Sequence, residues 1–376
     1  MQKKSYLIVT ASIGSGHVKA AEAIEHELKR RYPAANVYTV DFMARETSLL
    51  NWLMKEIYLK MLAFVPNLYE FLYKFSGGHT GGTLVQRVLA FVMQWNMAGL
   101  IRKYQPQTVI CTHPFPEGAA SCLKKTGRYD FLFATVMTDF SVHQIWLYPA
   151  VDLFFVATEK MKQDLLQAGF AAAKIHVVGI PIECPRKGRC NRQGVLRRLK
   201  LDPEVPVLLL MGGGLGLGGI DAALAELEKL TCPVQFLVVA GKNKALADRA
   251  RELAAASTHK ILVWGYTNEV PEFMLAATLL ISKPGALTIS EALAMQVPLL
   301  LHEPIPGPET ENAIYVSERG AAVWIRPGDD LLQIVSDLLR SPERQQAMRE
   351  AAAVWSRPDA AKDMVKKLEP YVIPEK

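Results

Sequence analysis

Gly14-Ser15-Gly16-His17 follows the strand-like run Tyr6-Leu7-Ile8-Val9-Thr10 and opens a stretch rich in Ala, Glu and Leu. A histidine therefore stands at the expected N-terminus of a helix. The turn has the composition of a nucleotide-binding loop, but a dinucleotide fingerprint needs a third small residue where Lys19 stands. At a helix N-terminus the dipole disfavours imidazolium, so the ring stays neutral and can accept a proton near neutral pH. His17 is thus a candidate general base, with hydrogen bonding to its own loop or to a phosphate as the alternative. Asp139, in Thr138-Asp139-Phe140 at the end of a predicted strand, is the rival base or the group that orients one.

A second glycine turn, Gly212-Gly213-Gly214-Leu215-Gly216-Leu217-Gly218-Gly219, follows Val207-Leu208-Leu209-Leu210-Met211. Such turns let backbone N–H groups close around phosphate oxygens, with the next helix dipole favouring the negative charge. No Gly-Lys-Ser/Thr follows, which excludes a P-loop. In Ser282-Lys283-Pro284-Gly285-Ala286-Leu287-Thr288-Ile289-Ser290-Glu291 a strand is expected to turn into a helix with Glu291 in its first turn. Glu291 then either completes a capping box with Thr288 or accepts hydrogen bonds from the ribose hydroxyls of a nucleotide. Gly307, Glu309, Thr310 and Asn312, in a Pro- and Gly-rich loop, offer partners for sugar hydroxyls. Lys242 and Asn243 end another strand, where Lys242 either meets a phosphate or is solvated. The chain has no Asp-x-Asp pair, no Cys-x-x-Cys and no His pair at metal spacing. Neither a metal nor any other cofactor is expected.

At 376 residues, 50% hydrophobic and 21% charged, the chain has room for two globular domains. The apolar stretch from Val88 to Ile101 is broken by Gln94 and Asn96 and is too short to span a bilayer. Leu7-Ile8-Val9 is only strand-length, so export is not expected. Cysteines 111, 122, 184, 190 and 232 read as reduced cytosolic thiols. The net charge of +6 is concentrated in Lys29-Arg30-Arg31 and in a cluster from Arg186 to Lys200. These are solvated faces or points of attraction to anionic lipid, at about 1 kcal/mol per basic residue. No zinc module, helix-turn-helix cue or aromatic-studded basic strand points to nucleic acid.

Strand-length apolar runs alternate with helical patterns, which predicts two doubly wound parallel sheets. The strands are expected near 5–11, 36–41, 107–112, 132–137, 153–157 and 175–178, and then near 206–211, 234–240, 260–263, 278–282, 298–302 and 322–325. Gly179-Ile180-Pro181-Ile182 and the basic stretch after it mark the linker. From Leu49 to Phe75, Trp52, Tyr58, Phe64, Tyr69, Phe71, Tyr73 and Phe75 accompany leucines at helical spacing. This segment is either a helix packed on the core or an amphipathic hairpin lying in a membrane interface.

The Gly-x-Gly-His turn, Thr112-His113-Pro114-Phe115-Pro116, Thr138-Asp139-Phe140 with His143 and Trp146, Gly179-Ile180-Pro181-Ile182, Lys283-Pro284-Gly285 and Pro306-Gly307 stand in one order along the chain. In that order they resemble the monogalactosyldiacylglycerol synthase and processive diacylglycerol glucosyltransferase family, which is like glycosyltransferase family 28. The resemblance implies a GT-B fold, two Rossmann-like doubly wound parallel-sheet domains facing a central cleft. Residues 1–182 would form the acceptor and membrane-facing domain, with 49–82 as its amphipathic segment. Residues 183–200 would be a basic linker and 201–352 the nucleotide-sugar domain, while 353–376 would form a helix returning to the first domain.

The resemblance also implies inverting transfer of a hexose from a UDP-sugar to diacylglycerol or a related lipid. It would act at an anionic membrane surface on the cytoplasmic face, as a peripheral protein. His17 or Asp139 would be catalytic. Gly16, His113, Pro114, Phe115, His143 and Trp146 would hold the acceptor. The donor would be held by Gly212, Gly213, Gly214, Gly216, Lys242 and Asn243, by Tyr266 against the uracil, and by Gly285, Ala286, Leu287 and Thr288. Glu291 would take the ribose, with Gly307, Glu309, Thr310 and Asn312 completing the donor set. N-acetylglucosaminyl transfer to another lipid, a UDP-sugar epimerase and a non-catalytic UDP-sugar or lipid binder remain open beside this reading.

Overall fold

Parallel strands covered on both faces read as nearly continuous apolar runs, and central strands such as Val207–Met211 and Leu279–Ser282 are buried at every residue. The computed structural model describes residues 4–49, 51–53, 56, 81–183, 191–304 and 307–372. The aromatic positions beyond residue 56 in the 49–82 segment, and the basic residues at 186, 187 and 189, lie outside the described residues. Each of the twelve predicted strand regions holds a strand, and the chain divides into two units: residues 1–182 with 359–376, and residues 183–358.

In the first unit β1 (Ser5–Thr10), β2 (Asn36–Asp41), β3 (Thr108–Cys111), β4 (Leu132–Val136), β5 (Leu153–Val156) and β6 (Ile175–Val177) form one parallel sheet in the order 2-1-3-4-5-6. β1, β3 and β5 are buried at every residue, whereas the edge strand β2 is only partly covered. The helices on the sheet are α1 (Gly16–Arg31), α2 (Gly81–Tyr104), α3 (Pro114–Lys125) and α4 (Glu159–Gln167). The chain reverses direction across the sheet between β1 and β3. The loop after β1, which carries His17, and the loop after β3, which carries Thr112 and His113, are therefore neighbours. Ligands in such sheets bind outside the carboxyl ends of the strands at this switch point.

The second unit repeats the plan. It contains α5 (Arg192–Arg198), β7 (Val207–Met211), α6 (Ile220–Leu227), β8 (Gln235–Val239), α7 (Lys244–Ala256), β9 (Lys260–Trp264) and α8 (Val270–Ala276). Then come β10 (Leu279–Ser282), α9 (Ala286–Met295), β11 (Leu299–Leu301), α10 (Pro308–Ser317), β12 (Ala322–Trp324), α11 (Leu331–Leu339) and α12 (Pro342–Trp355). The strand order is 12-11-10-7-8-9, with the switch point between β7 and β10. The buried Ser282 hydroxyl donates to the Met211 carbonyl at 2.8 Å and ties the two strand ends together.

α13 (Ala360–Val372) belongs to the first unit, where Met364, Val365 and Leu368 are buried with Tyr6, Ile8, Ile24 and Leu28. Arg31 and Tyr32 bond Glu369 at its exposed edge. Among the described residues no helix is long and apolar enough to cross a membrane.

Candidate functional site

In the first unit the switch point is built around His17, the second residue of α1. Its Nδ1 lies 2.9 Å from the Thr112 carbonyl and 2.7 Å from the Thr138 hydroxyl, while the Thr112 hydroxyl donates to the His17 carbonyl at 3.1 Å. A carbonyl only accepts, so Nδ1 carries the proton and Nε2 keeps the basic lone pair. Burial lowers the affinity of the imidazole for a second proton, and the Asp139 charge and the bond to Thr112 partly restore it. The ring is neutral near neutral pH, with a carboxylate near enough to stabilise it when protonated. Such a ring can accept a proton from a hydroxyl.

His113 is buried and packs edge-on against His17, ring centroids 4.5 Å apart. Its Nδ1 accepts from the Phe115 N–H at 3.2 Å and caps α3, whose first residue is Pro114. Burial and the neighbouring His17 push His113 well below the usual histidine range, so it braces the site as a neutral ring. His143 does similar capping work, its Nδ1 accepting from the Ile145 N–H at 3.3 Å, and Trp146 beyond it is buried. Phe115 is half-buried against the His113 ring.

Sequence reasoning overlooked Glu117 on α3. Its carboxyl is fully buried and takes a 2.9 Å hydrogen bond from Thr135 of β4, and its Oε2 has no partner among the described residues. Burial raises it well above the ordinary carboxylate range, against a smaller opposing effect of Thr135. It also helps raise the buried Cys111 thiol, after burial itself. Glu117 thereby ties the helix carrying His113 to the strand leading to Thr138. A Glu four places after the capping histidine was the available signal.

In the second unit the 212–219 turn is a close-packed backbone cradle. Gly213, Gly216, Gly218 and Gly219 have φ between 60° and 88°, a region that favours glycine. A Cβ on Gly216 would lie 2.2 Å from the Ala240 carbonyl, so the next loop presses directly on the turn. The Lys242 N–H donates to the Gly214 carbonyl at 3.0 Å, and Asn243 donates from Nδ2 to the Gly216 carbonyl at 3.0 Å while its Oδ1 caps α7. Gly214 and Asn243 hold the cradle's shape, and Lys242 lies 5.8 Å from the ring centre of Tyr266, which is 51% exposed.

Across the switch point α9 begins at Ala286 with Gly285 as its N-cap. Thr288 is therefore the third helical residue and Glu291 the sixth. The placement of Glu291 in the first turn and the Thr288–Glu291 capping box are both corrected: the Pro284-Gly285 turn starts the helix earlier than a Thr cap would. Glu291 is partly exposed one turn further along, with Ala286 buried and Leu287 and Thr288 partly so. Asn312 is buried and donates to the Pro284 carbonyl at 3.2 Å, and Glu309, in the first turn of α10, pairs with Lys283. Thr310 follows in that turn, its N–H donating to Gly307, the N-cap, at 3.1 Å. Lys283 stands in the Lys283-Pro284-Gly285 motif, where residue type alone gives it no role. Among the described residues no group of three or more His, Cys, Asp or Glu is placed to hold a metal ion.

The chain is 32% identical over 360 residues to the processive diacylglycerol beta-glucosyltransferase of Bacillus cytotoxicus, covering 96% of this chain and 92% of that protein. The chain belongs to the processive diacylglycerol glucosyltransferase family. The protein of the same name from Bacillus licheniformis is 29% identical over 92% of this chain and 89% of its own length. The family model for monogalactosyldiacylglycerol synthase matches residues 17–182, beginning at the candidate base, and that for the glycosyltransferase family 28 C-terminal domain matches residues 207–364. MurG of Acinetobacter baumannii, 16% identical, superposes with a TM-score of 0.60 over 97% of this chain and 99% of that one. MnaA of S. aureus, solved with UDP and 13% identical, gives 0.63 over 100% and 99%. These likenesses establish the GT-B fold, and the family membership makes the chain a glycosyltransferase.

Proposed function

We propose that the protein transfers a hexose from a UDP-sugar to the free hydroxyl of a diacylglycerol, with inversion at the anomeric carbon. The observation that carries this reading is the fixed tautomer of His17, whose Nδ1 is committed to the Thr112 carbonyl. Nε2 takes the proton of the acceptor hydroxyl as its oxygen attacks the anomeric carbon opposite the departing diphosphate, which leaves as UDP. The Asp139 charge stabilises the imidazolium formed in that step. General-base assistance of this kind contributes about 10²–10⁴-fold.

The donor belongs to the second unit. The 212–219 turn and the start of α9 offer backbone N–H groups to the diphosphate. Glu291 takes the ribose hydroxyls, Tyr266 flanks the uracil beside Lys242, and Ala286, Leu287 and Thr288 line the site. Gly307, Glu309, Thr310 and Asn312 form its sugar-facing side. Glucose is the favoured hexose because the relatives are named glucosyltransferases. The acceptor lies against Gly16, Pro114 and Phe115, with His113, His143 and Trp146 supporting that wall. A lipid acceptor places the reaction at a membrane surface, to which the protein is peripherally attached on the cytoplasmic side. Lys29, Arg30 and Arg31 in the last turn of α1 are each paired with a glutamate, Glu25, Glu27 and Glu369, and an anionic surface would compete for them.

Incubation with UDP-glucose, UDP-galactose or UDP-N-acetylglucosamine, with and without diacylglycerol vesicles, tests this by mass spectrometry of the extracted lipid. Diacylglycerol carrying added hexose is the expected product. UDP release without a lipid product, a changed sugar without lipid, or binding without turnover would each reject it.

A further inference from the structure

We propose that Lys283 is the cation that receives the donor diphosphate, and that Glu309 is a built-in counter-ion which the donor displaces. The inference rests on the reading of the second unit as the donor's. Lys283 follows β10 at the switch point, and its side chain runs along the glycine cradle. A Cβ at Gly218 would lie 3.0 Å from Lys283 Cβ, one at Gly213 3.5 Å from Cε, and one at Gly285 3.5 Å from Nζ. The glycines thus leave the lysine its course.

The ammonium ends beside the N-cap of the ten-residue helix α9, the positive end of the helix dipole, where a cation is disfavoured unless an anion accompanies it. Glu309 supplies that anion. The pair is largely enclosed, with side chains 16% and 14% exposed. A second carboxylate, Glu303, stands in the equivalent place at the other helix start: a Cβ on Gly219, the N-cap of α6, would lie 2.4–2.7 Å from its oxygens. The positions at these helix starts that suit phosphate oxygens are therefore matched by the chain's own acids.

A diphosphate brought to Lys283 repels Glu309 and offers the lysine more charge than one carboxylate does. Glu309 is then released to accept hydroxyls of the sugar. The same carboxylate lowers affinity for bare diphosphate and favours donors that carry a hexose. The site is thereby biased toward the intact donor over the UDP product.

Calorimetric titration of the full chain with uridine, UDP and UDP-glucose tests this. Lys283→Met should weaken UDP at least about tenfold, the scale of one charge-assisted hydrogen bond, with uridine unchanged and Lys283→Arg restoring much of the loss. Glu309→Gln should tighten UDP severalfold while reducing the advantage of UDP-glucose over UDP. Thermal melts check folding, and Lys283→Met with Glu309→Gln should recover stability lost by either change alone without recovering UDP affinity. Weaker or unchanged UDP binding by Glu309→Gln, or wild-type UDP binding by Lys283→Met, would overturn the exchange. Failure of the wild-type protein to bind UDP or uridine would instead overturn the donor-unit reading, and the exchange with it.

Discussion

Replacing Gly216 with alanine should damage the cradle through the backbone alone. Gly216 has φ +62°, and the added Cβ would sit 2.2 Å from the Ala240 carbonyl oxygen and 2.7 Å from Asn243 Cβ. The left-handed backbone costs an alanine about 1–2 kcal/mol. The overlap adds about 1–3 kcal/mol, because ordinary contact requires the two loops to part by roughly 1 Å. Stretching the 3.0 Å bond from Asn243 to the Gly216 carbonyl adds up to about 1 kcal/mol. A loss of about 3 kcal/mol or more should lower the melting transition of the second unit by roughly 6–12 °C, at 2–4 °C per kcal/mol. Scanning calorimetry measures this, and UDP titration of the same sample should show at least about a tenfold loss for a displaced set of N–H donors. Gly99→Ala is the control: no heavy atom lies within 4 Å of its added Cβ and it is helical, so it should stabilise by about 0.5–1 kcal/mol. Wild-type melting and UDP affinity in Gly216→Ala would refute the reading of the turn as a tight cradle.

Two further outcomes concern Glu117 and His17. Glu117 is raised above its unfolded value, so its contribution to stability is full below the ordinary carboxylate range and is lost as pH rises through its folded value. The slope is at most about 1.4 kcal/mol per pH unit. Glu117→Gln should flatten that decline in melts from pH 5 to 8, and parallel curves for the two proteins would contradict a buried, proton-retaining carboxyl. Asp139→Asn removes the charge that raises His17, so the acid limb of the kcat/KM profile should move to lower pH with modest loss of rate. A limb that stays in place with activity down about 100-fold or more would make Asp139 the base.

The sheets were readable because buried parallel strands leave unbroken apolar runs, and Val207–Met211 shows this at every residue. The first switch point was readable in part: His17 announces itself, but the carbonyl that sets its tautomer belongs to Thr112, 95 residues away. A backbone acceptor leaves no trace in residue type. His113 and His143 illustrate the converse, since either could be a ligand by composition and both use Nδ1 as a cap. Glu117 is hard to single out by residue type, because a Glu after a Pro-Phe-Pro run reads as a first-turn charge on a solvated helix face; only packing buries it. Thr-x-x-Glu matches a capping box and points to Glu291 in the first turn, whereas Gly285 begins the helix and sets Glu291 one turn further along. Lys283 and Glu309 lie 26 positions apart, and their pairing depends on the switch-point topology.

The central claim is that His17 removes the proton from the acceptor hydroxyl. Its most direct test is the initial rate of glycolipid formation by His17→Gln from UDP-glucose and diacylglycerol vesicles, with UDP affinity measured on the same protein. A rate lower by about 100-fold or more, the usual scale for a lost general base, with UDP binding unchanged, is the predicted result. Near-normal turnover by His17→Gln, with Asp139→Asn losing about 100-fold, would contradict it.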